Sequence, residues 1–408
     1  MHKFTSMIFS GVQKMVLYGL LIALVPLTLN AQVFRTDSIY RGQKGYTEYL
    51  PGNFPLIFAA SHGGDLSPAD IPVRACAGCV TATDLNTQEL ARMVREAIFK
   101  HTGCLPHVII NRLRRNRMDA NREIGEAALG NPDAEQAWRE YHGFIDSAKQ
   151  IATRNFRRGL FIDLHGHGHS IQRLELGYLL SATTLRLSDA SLNAADIRNN
   201  SSIRKLTTDN RQQLSHSELL RGASSLGALL EKSGYPSVPS NADPAPKSGQ
   251  EYFSGGYSTE RHGSVGSGNI DAIQIECNYQ GVRDSERGLL FFADALAVSL
   301  LEYLGKHYFS VQPSCQTVTS SGIQPSDLMP QVFPNPGCGT FNIENSGSEK
   351  CLEVIVHDIS GKTLLRLKHL PPMVELPPGR HPNGLYWLVM KFEGGQIISR
   401  PLLQQCPE

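Results

Sequence analysis

The chain has 408 residues, 41% of them apolar, enough for a sizeable core and, by length, for roughly two or three domains. Lys and Arg number 39 against 38 Asp and Glu, a formal net charge of +1. A balance that even leaves no electrostatic footprint for nucleic acid or an anionic membrane, and neither is expected as a partner.

Lys3 and Lys14 precede an uncharged, largely apolar run over 15–29. The run is shorter than the about 20 residues that a membrane span needs. Small Ala31 before Gln32 suits a signal-peptidase site, so residues 1–31 read as a signal peptide. No second stretch reads as long and apolar enough to span a bilayer, so no transmembrane anchor is expected and the mature chain should lie outside the cytoplasm. Eight cysteines suit that compartment, although sequence leaves their pairing open. Cys76 and Cys79 have C-x-x-C spacing, for which a local disulfide or plain loop cysteines fit better than redox catalysis.

Further along, residues 55–60 read as a buried strand that ends at Ser61-His62-Gly63-Gly64-Asp65. Leu90, Met93, Val94, Ala97 and Ile98 recur with helical period over 87–100. A short strand follows at 107–110, a helix at 134–153 and a third strand at 159–164. A strand at 270–277 and a helix at 287–306 complete the series. Such alternation predicts an α/β fold, a three-layer α-β-α domain over 32–309 with a mostly parallel or mixed sheet. Sites in these sheets gather at the carboxyl ends of the strands. Residues 310–330 shift to Ser, Thr, Gln and Pro, as in a linker. From 331 to 408, alternating segments punctuated by Gly361, Pro377-Pro378-Gly379 and Asn383-Gly384 predict a small all-β sandwich.

Four polar motifs carry chemistry. His62 stands directly after a buried strand, and imidazole is the commonest protein ligand for zinc. In Asp163-Leu164-His165-Gly166-His167-Gly168-His169, alternation puts Asp163 and His165 on one strand face, so the carboxylate can orient the imidazole. His165, nearest the strand end, is the expected ligand of the three histidines. The arginine-rich stretch from Asn111 to Arg122 has no aromatic interleaving, and its planar forks suit a substrate carboxylate or a developing oxyanion better than nucleic acid. In Ile273-Gln274-Ile275-Glu276-Cys277, alternation separates Glu276 from Cys277, and a Glu among apolar residues is costly unless paired or used. As general base it takes a proton from an attacking water. No G-x-S-x-G elbow is present for a serine hydrolase.

His62-Gly63-Gly64, Met118-Asp119-Ala120-Asn121-Arg122, Ile162-Asp163-Leu164-His165 and Ile273-Gln274-Ile275-Glu276 occur in the order found in N-formylglutamate amidohydrolases, and Phe253-Ser254-Gly255-Gly256-Tyr257 resembles that family's glycine-rich segment. The resemblance covers about residues 55 to 300 and extends in fold to the zinc carboxypeptidases. It implies a zinc-dependent amidohydrolase acting on an N-acyl amino acid or short peptide with a free carboxylate. By that likeness His62 and His165 bind the metal, Asn121, Arg122, Gly255 and Gly256 bind substrate, Arg117 holds the oxyanion and Glu276 moves the proton. The acidic ligand is left between Asp84 and Asp65, and Asp84 fits a helix N-cap equally well. A carboxypeptidase-like or cell-wall peptide hydrolase is the alternative among enzymes, and a non-catalytic surface binding protein the alternative outside them. Pro334-Asn335-Pro336, the Val356-to-Lys362 turn and Pro382-Asn383-Gly384-Leu385-Tyr386-Trp387 resemble the C-terminal sorting domain of type IX secretion. That likeness implies the type IX machinery as partner and export through the periplasm, to the medium or the cell surface.

Overall fold

The computed structural model describes residues 34–36, 38–315, 330–335, 337–344, 350–358, 362–393 and 397–406. The expected signal peptide at 1–31 and most of the expected linker at 310–330 lie outside the described residues.

Eight strands form one mixed sheet: β1 (Tyr40–Arg41), β2 (Thr47–Leu50), β3 (Leu56–Ala60), β4 (His107–Asn111), β5 (Gly159–Gly166), β6 (Leu174–Gly177), β7 (Ser237–Val238) and β8 (Ile270–Cys277). Their order across the sheet is β1-β2-β4-β3-β5-β8-β6-β7. The central run β4-β3-β5-β8 is parallel, while β2 and β6 pair antiparallel with its two ends. The sequence pattern marked β3, β4, β5 and β8, which are long and apolar. It missed β1, β2, β6 and β7, which have 2, 4, 4 and 2 residues and too few positions to show a period.

Helices cover both faces of the sheet. Leu56, Phe58 and Ala60, Leu160, Ile162 and Leu164, and Ile273, Ile275 and Cys277 alternate onto one face and share a core with helices Thr87–Thr102 and Glu286–His307. The Pro132–Phe156 helix lies across β2, β3, β4 and β5. It starts where Asn131 accepts from the backbone N–H of Asp133 and Ala134, with Pro132 in its first turn. Glu286–His307 corrects one expectation: it has 22 residues, with an 18-residue stretch of mean hydropathy 1.6, long and apolar enough to cross a membrane. Its Leu289, Phe292, Leu296, Leu300 and Leu304 stripe is buried in the sheet's core, the helical spacing of a core-facing stripe.

The C-terminal part is all-β. Strands β9 (Gln331–Phe333), β10 (Thr340–Glu344) and β13 (Met373–Glu375) form one antiparallel sheet. The second comprises β11 (Cys351–Asp358), β12 (Thr363–Leu367), β14 (Gly384–Phe392) and β15 (Ile397–Gln404). Phe341, Val354, Val374, Leu388 and Met390 fill the space between them. Disulfides join Cys76 to Cys79, Cys104 to Cys315 and Cys338 to Cys406, and Cys277 and Cys351 are buried thiols.

Candidate metal centre

Parallel pairing sets the carboxyl ends of β3, β5 and β8 side by side. Ser61 and His62 leave β3 there, and the register places His165 of β5 beside Glu276 of β8. Glu276 in turn faces Glu175 of β6. A fourth segment brings Asp84, whose N–H donates to the His62 carbonyl at 3.1 Å. The following helix takes Asn86 as its N-cap residue, so the Asp84 side chain is left for the site.

Asp84 Oδ2 lies 3.1 Å from His165 Nδ1 and 3.3 Å from His62 Nδ1, and it accepts the Gly166 N–H at 3.1 Å. One ligand atom from each of His62, Asp84 and His165 falls within 4.8 Å of the others, and all three residues are buried. Behind each ring stands a second carboxylate. His62 Nε2 donates to Asp119 Oδ1 at 2.7 Å, and His165 Nε2 lies 3.1 Å from Asp163 Oδ2 and 3.2 Å from Ser61 Oγ. A proton on each Nε2 satisfies those neighbours and turns both Nδ1 lone pairs toward Asp84.

With no ion between them a proton on His165 bridges Nδ1 to Asp84, the place a cation would take. The buried His62 Nδ1 has no hydrogen-bond partner among the described residues. Burial opposes charge on His165, yet Asp163 and Asp84 outweigh it and raise the ring well above its usual pKa. Burial likewise opposes charge on Asp84 and Asp119. His165 and His62 hold Asp84 far below the usual carboxylate range, and His62 with Arg115 does the same for Asp119. Burial pushes Glu276 up to about 8; His165 works against that shift, while Asp84, Glu175 and Asp163 add to it. Two imidazoles and a carboxylate, each imidazole backed by an acid, form a donor set that fits a zinc-like divalent ion.

The structure therefore gathers His62, Asp84, His165 and Glu276. Asp65 is exposed and stands outside the group, so between the two acids it is Asp84 that meets the histidines. Asn121 reaches the site, with Nδ2 3.4 Å from His165 Nε2 and Oδ1 accepting the Ser258 N–H. Gly256 permits this: a Cβ there would come within 2.4 Å of Asn121 Nδ2. Gly255, at φ 119°, lies against Leu179, where a side chain would be both strained and crowded. Arg122 is part-exposed, bonded to the Asn121 carbonyl and, at 3.1 Å, to Glu126. Arg117 donates to the Ile71 carbonyl at 2.6 Å and has no hydrogen bond to the gathered residues among those described. Arg115 is the one that turns inward, 3.0 Å from Asp119, with Arg74 at 3.5 Å. The supporting role of Asp119 was not read from sequence; its place two residues before Asn121 in the motif was the available signal.

Solved structures similar to this chain include two enzymes. One is the N-formylglutamate amidohydrolase of Ralstonia eutropha JMP134, 13% identical, TM-score 0.37, covering 60% of this chain and 91% of that one. The other is the succinylglutamate desuccinylase of Chromobacterium violaceum, 11% identical, TM-score 0.29, covering 92% and 96%. No protein-family model matches the chain, and no curated protein matches its sequence. Similarity this low says nothing about activity.

A second group, His167, His169 and Glu175, also gathers donor atoms. His167 is spent: its Nδ1 accepts the His169 N–H at 3.1 Å, and its Nε2 donates to the Arg173 carbonyl at 2.8 Å. What remains is His169 Nδ1 on Glu175 Oε1 at 2.9 Å, with Phe253 N–H on the other carboxylate oxygen and the Phe253 ring stacked on the imidazole. That arrangement anchors a loop.

Proposed function

We propose that this chain is a zinc-dependent hydrolase that cleaves an amide bond in an N-acyl amino acid or short peptide bearing a free carboxylate. The observation that carries the reading is the convergence of two acid-backed imidazoles on Asp84, with Glu276 beside them. His62, Asp84 and His165 would hold the ion. Bound there, zinc supplies Lewis acidity that polarises an amide carbonyl and acidifies water.

Glu276, favoured in its ionised form by a cation held at His62, Asp84 and His165, accepts a proton from the water that attacks the carbonyl carbon. It returns that proton to the leaving nitrogen as the C–N bond breaks and the new C–O bond remains. Asn121, fixed by the Ser258 N–H, offers its amide beside the reacting group. Arg122 is the proposed carboxylate clamp, since its present partner Glu126 is exposed and exchangeable. Export through a cleaved leader, which rests on the charged-then-apolar pattern of residues 1–31, and a sorting role for residues 331–408 with the type IX machinery, which rests on the sequence resemblance alone, belong to the same proposal.

The test is Glu276→Gln in the full chain, with zinc content and kcat measured on N-acyl amino acids. Metal should be retained and kcat should fall about 10²–10⁴-fold, the usual worth of general acid–base catalysis. Near-normal kcat in the folded variant removes Glu276 from the mechanism, and absence of stoichiometric metal in the wild type removes the reading.

A further inference from the structure

Arg283 lies just past β8 and is 3% exposed. Among the described residues no carboxylate pairs with it. Its guanidinium instead donates to three backbone carbonyls: Nε to Cys277 at 3.1 Å, Nη1 to Leu85 at 2.5 Å and Nη2 to His167 at 3.3 Å. Those residues are not a random set. Leu85 follows Asp84, His167 lies two past His165 and Cys277 follows Glu276. The Arg283 carbonyl adds a fourth tie by accepting from Asn86 Nδ2 at 2.6 Å. Gly166 makes room for the head group, because a Cβ there would lie 2.2 Å from Cζ.

The planar fork explains why arginine stands here. Five N–H donors in fixed directions reach carbonyls on three separate segments at once, which a lysine ammonium on one flexible stem does not. The three carbonyls stand at a strand end, a loop and a helix start; that of Cys277 also accepts the His167 N–H at 3.0 Å, so Arg283 joins a pairing already made between the ends of β5 and β8. Metal ligands and a catalytic base need placement to within about 0.5 Å.

We infer that Arg283 is the positioning residue of this centre, tying together the loops that carry Asp84, His165 and Glu276 while touching neither ion nor substrate. The inference rests on the metal-hydrolase reading for its effect on activity, but the tie itself does not.

The experiment compares wild type with Arg283→Met, Arg283→Lys and Arg283→Ala in the full chain. Arg211→Met serves as control, since Arg211 also donates to two carbonyls, of Gly305 and Phe309, in another part of the fold. Zinc affinity is read by chelator competition, kcat and KM separately, and amide hydrogen exchange on the metal-free proteins. Arg283→Met should weaken zinc binding about 10–100-fold, the range for residues that orient ligands. It should lower kcat with little change in KM, and exchange should rise together in segments 84–86, 166–168 and 277–279. Arg283→Lys should fall between, and millimolar methylguanidinium should restore zinc affinity to Arg283→Ala. Arg211→Met should leave zinc affinity unchanged. Wild-type zinc affinity in folded Arg283→Met overturns the inference, as does faster exchange confined to 277–279. If Arg283→Met does not fold, the lysine variant and the methylguanidinium rescue decide, and failure of both overturns it. A wild type that binds no divalent ion defeats the functional reading, and exchange in the three segments then decides the tie alone.

Discussion

Two clusters of histidine and acid lie within a few residues of each other along β5 and its loop, and they differ in what their ring nitrogens have left to give. In the first, His62 and His165 each set one nitrogen against a buried acid and aim the other at Asp84. In the second, His167 uses both nitrogens on backbone groups and His169 is bound to Glu175. Residue type and proximity are the same in both, so neither distinguishes a ligand from a brace. Hydrogen-bond capacity does.

The largest expected effect breaks the comparison if it fails. His165→Ala should abolish stoichiometric zinc, whereas His167→Ala should retain it and lose stability, as read by metal analysis and thermal unfolding of both. Stripping zinc from wild type should lower its stability as well, by about 2.7 kcal/mol relative to free ion at a hundred times Kd. Loss of zinc from the His167 variant with His165→Ala unaffected would exchange the roles of the two clusters.

A smaller effect sharpens it. Asp119→Asn keeps the shape but weakens the charge behind His62 Nε2, so zinc affinity should drop about 10–100-fold. Chelator competition measures this, and an unchanged constant would make Asp119 a partner of Arg115 only.

The smallest effect concerns a buried imidazole with no acid behind it. His107 Nδ1 accepts from the Tyr49 hydroxyl and the Gly52 N–H, and burial, with Arg95 adding to it, lowers its pKa from 6.5 to about 3. Between those values the unfolded chain binds a proton that the folded chain refuses. Its contribution is therefore complete above pH 6.5 and is lost as pH falls toward 3. Denaturant unfolding at pH 7 and pH 5 should show lower stability at pH 5, with a smaller difference in His107→Gln. An equal difference in both proteins would assign the acid sensitivity elsewhere.

Much of the fold was legible because long buried strands and amphipathic helices write their period into the chain. Leu90, Met93, Val94 and Ile98 are buried as the helical spacing requires, and Cys277 turns into the core away from Glu276 as alternation requires. The short edge strands left no such trace. Of the site, His62, His165 and Glu276 could be named because each follows or ends a readable strand. The resemblance implies Arg117 as the oxyanion holder, yet a planar donor goes to whichever acceptor the backbone brings near, and here that is the Ile71 carbonyl.

Sequence by itself determined the α/β order, the strand ends that bear chemistry and the pairing of Asp163 with His165, because these follow from period and adjacency along one strand. Only the tertiary structure decided that Asp84 rather than Asp65 meets the histidines, that Asp119 backs His62 and that Arg283 holds three loops at once. Most of those contacts join residues far apart in the chain, up to 198 positions in the Arg283–Leu85 bond. Chain connectivity carries no direct record of such separations; they are set by parallel register and by which carbonyls and carboxylates burial leaves in need of a donor.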